Sequence, residues 1–294
     1  MHMPWQAAIG LAILANVVTI LIQRRYSLKS NVPETFPTAI SYLLGVMPIG
    51  VTVGLYLPHR VTWSWQLARL LFICATSMAV SCWIGFKAVK LLPVAPYQTI
   101  SRFTAIVAIA LGWAVLGEGL SRYQVLGAFL LLLGALLAIW APIKRPDITQ
   151  RVIHIRAVLL TLLASTLLAI TLVSEKAILG HIQVGGVLIL GWGSQTLAML
   201  LLALKDAGRV NLRKFNYYEL RWSAVMGLAN GVTGAFYVYS LNKSNNISLI
   251  TALTAIALPL TVFGAHLFLK ERENSKLMWL SLAVCFIGLL VSAT

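Results

Sequence analysis

APYQTISRFTAIVAIALGWAVLGEGLSRYQVLGAFLLLLGALLAIW, residues 95–140, is the stretch that decides the fold, because the chain writes it a second time. Residues 248–293 read SLITALTAIALPLTVFGAHLFLKERENSKLMWLSLAVCFIGLLVSA. With Glu118 set on Glu271, Gln98 falls on Thr251, Ser101 on Thr254 and Trp113 on His266. One extra residue in the second hinge then brings Ser121 onto Ser275 and Gly134 onto Gly288. Each copy is an apolar helix, a tight acidic hinge and a second apolar helix with small residues along one stripe. A helix pair repeated at this distance implies a chain built from two similar halves.

Working outward, composition points to lipid. The chain is 59% hydrophobic and only 11% charged, with a mean hydropathy of +0.86. No soluble core of this size hides that much apolar surface. The formal charge of +15 belongs to short loops between apolar runs, where Lys and Arg set orientation against anionic lipid. No basic patch with interleaved aromatics stands outside those runs, so nucleic acid is not an expected partner. Cys74, Cys82 and Cys285 lie inside apolar runs without metal-ligand or redox spacing and read as small packing residues. The first apolar run has no preceding basic residue and ends in Gln23-Arg24-Arg25, so it reads as a retained span rather than a signal peptide.

A helix crosses the hydrocarbon with about 20 apolar residues, and about ten stretches meet that test. They are 4–23, 35–57, 65–87, 94–116, 121–140, 156–179, 184–204, 219–241, 246–269 and 275–292. Runs this long and apolar lack a barrel's alternation, so the expected class is an all-α integral membrane protein. The polar gap 141–155, with Pro142, Lys144, Arg145, Pro146 and Asp147, divides the spans into five and five. The expected domains are a first repeat over 1–140, a linker over 141–155 and a second repeat over 156–294. An odd number of spans per half inverts the second half against the first and places a substrate site near the midplane between them. TILIQRRY at 19–26 and ITLVSEKA at 170–177 echo this at the front of each half. The loops holding Arg24, Lys90, Lys144, Arg213 and Lys270 carry most of the cations; their counterparts carry little beyond Arg60, Arg122, Lys176 and Lys243. The richer set belongs in the cytoplasm, which leaves both termini outside.

An apolar helix closing in Gly117-Glu118 or Lys270-Glu271, then a Ser, then a glycine-bearing apolar helix, resembles the EamA module of the bacterial drug/metabolite transporter superfamily. Pro259 matches the proline usual in that module's penultimate helix, whereas Ile106 stands in its place in the first copy. The resemblance implies a multi-pass protein of the bacterial inner membrane that moves a small metabolite, outward rather than inward. A non-transporting scaffold or accessory subunit is the alternative on the same helices. Monomer and homodimer stay open.

Arg102 is the sharpest single signal. It stands about 12 Å into the fourth span, where a cation costs roughly 2.5–3.5 kcal/mol. Gln98 shares its helix face. The matching face of the second copy offers Ser248, Thr251 and Thr254. Asn16, Asn230 and Gln195 are amides inside apolar runs and must face the interior; Trp83 and Tyr237 are candidate aromatic walls. The expected binding set is therefore Arg102, Gln98, Thr251, Ser248, Thr254, Asn16, Asn230, Trp83 and Tyr237. With no intramembrane acid to pair with, Arg102 points to a carboxylate or phosphate on the substrate. Glu175 reads as interfacial, beside Lys176, and Glu118 and Glu271 as hinge carboxylates serving the following helix dipole. No metal spacing, nucleophile elbow or nucleotide loop is present, so neither enzyme nor cofactor is expected.

Overall fold

The computed structural model describes residues 4–30, 32–117, 119, 121–140, 148–207, 217–244, 250, 253–254, 256–271 and 276–293. These residues are helical apart from short connecting loops, with no strand among them beyond one isolated bridge, Val61 to Ile182. In chain order the helices are α1 (Trp5–Lys29), α2 (Thr35–Tyr56), α3 (Trp65–Leu91), α4 (Val94–Leu116) and α5 (Arg122–Trp140). The second half holds α6 (Ile148–Leu179), α7 (Val184–Ala207), α8 (Tyr217–Ser244), α9 (Ala257–Leu269) and α10 (Lys276–Ala293). Among the described residues, seven helices, α1 to α7, are long and apolar enough to cross a membrane. Large apolar side chains such as Leu14, Phe72, Trp113, Phe129 and Phe268 stand exposed on the outside, as lipid permits and water does not.

Local chemistry sets the boundaries. The Ser64 hydroxyl accepts from the Leu67 N–H at 3.1 Å and starts α3, while Pro93 forces Leu92 to be extended and ends it. The α4 helix breaks once, between Val94–Ser101 and Phe103–Leu116, through tight bonds from Arg102 N–H to Thr99 O and from Ala105 N–H to Arg102 O. Left-handed residues close α4 and α9 alike: Gly117 at φ 68° and Lys270 at φ 55°, each N–H reaching a carbonyl five residues back. Glycine takes this conformation freely; Lys270 pays for it in Cβ crowding. A π turn interrupts α2 at Tyr42–Val46 and another interrupts α7 at Val187–Gly191. Helix α6 starts at Ile148, ahead of the apolar run expected from 156, because nothing after Pro146 breaks a helix; its membrane-length apolar part is Val152–Leu179.

The most extensively packed helix pairs are α5 with α10, α3 with α6, and α2 with α8, followed by α1 with α8. Small residues let backbones meet: Gly227 of α8 lies against the Ser41 carbonyl of α2, and Gly45 lies against Gly227. At the α5–α10 seam Gly134 faces Cys285 and Gly288 faces Leu130 and the backbone of Leu131, with Ser281 Oγ donating to the Gly134 carbonyl at 2.8 Å. Before α3, the loop ahead of it pairs with the α6–α7 loop. Gln183 N–H donates to Arg60 O at 3.2 Å, Gly185 N–H to Pro58 O at 2.9 Å, and Thr62 Oγ1 to His181 O at 2.6 Å.

Candidate functional site

Between these elements lies a cavity of about 270 Å3, walled by α1, α2, α3, α4, α6 and α8 and by Thr254. Its polar lining includes Asn16, Gln23, Ser81, Gln98, Ser101, Arg102 and Asn230, and Arg102 is the one charged side chain among the described lining residues. The break in α4 falls at Arg102 itself, so the guanidinium leaves the helix where the backbone turns. Its Nη2 donates to Gln98 Oε1 at 2.6 Å and its Nε to the Gln98 carbonyl at 3.3 Å. Both bonds are to neutral groups one turn back, and no carboxylate pairs with Arg102 among the described residues. The remaining N–H groups of the fork stay available to an incoming anion.

Of the residues expected from sequence, Asn16, Gln98, Arg102, Asn230 and Thr254 come together on this cavity. Ser248 and Thr251 lie outside the described residues. Trp83 is elsewhere: its ring sits under Lys87 Nζ at 4.1 Å and Lys205 Nζ at 5.7 Å, beside the start of α2. Neighbouring Ser81 and Cys82 face the cavity, and one helical step turns Trp83 toward α7. Tyr237 is buried in the core with α1 and α7. It shares the face of Asn230 but lies about 10 Å farther along the axis, past the cavity's end. Tyr97, a further aromatic that the sequence offers as a cavity wall, lines it, as do Ser81 and Ser165, which no local signal separates from packing hydroxyls.

Two further acids are placed differently from expectation. Glu175 is enclosed by the bundle rather than exposed at its surface. It is 4% exposed, in the α6 segment packed against α3, and accepts from Gln195 Nε2 at 3.0 Å. The same amide lies 3.3 Å from Cys74 Sγ, so Gln195 ties α7 to α6 and α3. Burial follows from α6 running on to Leu179 beneath its loop, which no reading of a charged dipeptide could reveal. Glu271 serves α4 rather than the helix after its own hinge: Oε2 accepts from the Val94 N–H at 2.8 Å. Its Oε1 pairs with Arg24 Nε at 2.7 Å, and Arg24 Nη1 donates to the Val89 and Lys90 carbonyls at the end of α3. Arg24, expected to be a surface charge, is thus buried as a latch joining four segments. Glu118 lies outside the described residues.

Comparison with known proteins adds the following. Residues 5–140 match the model of the EamA-like transporter family. No curated protein matches the chain. Among solved structures, one titled only as the crystal structure of a protein superposes with a TM-score of 0.66 at 18% identity. That alignment covers 98% of this chain and 95% of the other, a likeness of fold. The family is one of membrane transporters, and the helices are those of a multi-pass membrane protein.

Proposed function

From a chain whose residues 5–140 match the model of the EamA-like transporter family, we infer a secondary transporter that carries a small carboxylate- or phosphate-bearing metabolite by alternating access, outward across the bacterial inner membrane. One observation carries the reading: a guanidinium at the wall of a central cavity, bonded only to Gln98, with no carboxylate against it among the described residues. An unpaired cation at that depth is costly, and an anionic cargo group relieves the cost during each cycle. The planar fork suits carboxylate or phosphate, with Asn16, Asn230 and Thr254 placed to bond the rest of the cargo.

The arrangement as two inverted repeats of five spans, 1–140 and 156–294, rests on parallels between the halves. Under the sequence superposition Gly117 falls on Lys270, and both are left-handed closing residues. The pair α3–α6 maps onto α8–α1, and both are close neighbours. Gly134 against Cys285 maps onto Gly288 against the Leu131 backbone, the reciprocal contact that a two-fold axis through the α5–α10 seam requires. The latch at Arg24 and the loop clamp at Arg60–Gln183 sit at opposite ends of α3, with the cavity between them, as an alternating-access carrier needs. A scaffold protein would have filled the same space with Leu and Phe.

The test is purified protein in liposomes, offered labelled inorganic phosphate, dicarboxylates and amino acids with and without ion gradients. Saturable uptake of at least one anion is expected. Leak rates for the whole panel equal to those of empty liposomes would contradict the reading.

A further inference from the structure

Glu175 is the described acid that nothing above uses. Glu34 stands 3.8 Å from Lys90, Glu271 pairs with Arg24, and Asp206 and Glu219 each have hydroxyl partners, Thr35 and Ser30. Glu175 has Gln195 and no cation among the described residues. The groups facing it are Gln195 from α7, Cys74 from α3 and Tyr42 from α2. Tyr237 of α8 belongs to the same core, and the next residue on α6, Lys176, has an interaction of its own. None of these facing groups brings a positive charge.

Its position along α6 matters as much as its burial. One turn before it, Leu172 lines the cavity; one turn after it, Ile178 is fully buried, and Ile182 and Val184 close over the top under the Arg60–Gln183 clamp. Tyr42 and Cys82, in contact at 3.9 Å, stand on the cavity side. The carboxyl therefore lies between the cargo cavity and the plug that shuts it on that face.

We propose that Glu175 is a proton site whose occupancy is linked to opening of the clamp, so that proton movement drives the carrier inferred above. In the closed arrangement its carboxyl exchanges no proton with water. Opening the α2–α3 and α6–α7 loops wets it. A group whose surroundings differ this much between two conformations makes each conformation depend on proton concentration, and the dependence is reciprocal. The inference rests on the alternating-access reading but not on the identity of the cargo.

The test needs no known cargo. The intact protein in liposomes is titrated while its infrared spectrum is followed in the protonated-carboxyl region, and the labelling rate of the cavity thiol Cys82 is measured in parallel. Parent protein is expected to show a carboxyl band that changes with pH, with the Cys82 rate shifting severalfold. Glu175→Gln, which keeps a carbonyl for Gln195, should lose that band, and its thiol rate should follow only the chemistry of a free thiol. Glu175→Asp should retain both responses and serves as the folding control. A band and a pH-dependent rate unchanged in Glu175→Gln, or absent from the parent, would overturn the proposal. Protection of Cys82 by phosphate or glutamate, read in the same samples, reports on Arg102 separately, so either reading can fail alone.

Discussion

Removal of Glu271 probes the latch. Glu271→Ala deletes a charge-assisted bond to Arg24 at 2.7 Å and the acceptor for the Val94 N–H at 2.8 Å, and it leaves Arg24 with two backbone carbonyls. The side chains are 9% and 18% exposed, so screening is weak. Losing one partner of such a buried pair costs about 3–5 kcal/mol, because the other charge stays behind unpaired. The lost cap on α4 accounts for roughly 1 kcal/mol of that. A hinge carboxylate acting only through a helix dipole would cost about 0.3–1 kcal/mol, so the two accounts separate clearly. Thermal unfolding in detergent is the assay, with a Tm loss of roughly 6–20 °C expected if a soluble domain's scale of about 2–4 °C per kcal/mol carries over. Arg24→Ala/Glu271→Ala should unfold less readily than the sum of the single changes predicts, since the orphaned charge is gone. Glu271→Ala as stable as the parent, or strict additivity in the double variant, would refute the latch.

Other consequences are more quickly stated. Gly227→Ala drives a methyl into the Ser41 carbonyl and should cost about 1–3 kcal/mol, whereas Gly119→Ala, with nothing within 4 Å, should leave Tm unchanged. Under the charge-based orientation, an impermeant thiol reagent outside the cell should modify a cysteine placed at Ser244 and miss one placed at Asp147; the reverse pattern would invert the molecule while keeping its fold.

Much of the architecture was legible in the residues because lipid imposes a local rule: each span must satisfy its own backbone, and length and apolarity follow. The hinge residues Gly117 and Lys270 were legible because the same short motif closes both helices. Arg102 and Gln98 were legible because their spacing of four is a property of one helix. What escaped depends on partners distant in sequence. Arg24 meets Glu271 across the bundle, and Glu175 meets Gln195 from the next helix, so a charge that looks interfacial in its own span becomes buried by another. Trp83 and Tyr237 failed to reach the cavity for reasons of rotation and height along an axis, which composition does not encode. The break in α4 at Arg102 carries no proline or glycine to announce it.

The central claim is that Arg102 holds an anionic cargo. The most direct measurement is uptake of the transported anion into liposomes containing parent, Arg102→Lys or Arg102→Leu protein, with the amount of folded protein matched by gel filtration. A lysine supplies charge without the fork, and leucine supplies neither. The account predicts saturable uptake by the parent, a strong reduction with lysine and none above empty liposomes with leucine. Uptake by Arg102→Leu at the parent's rate would contradict it.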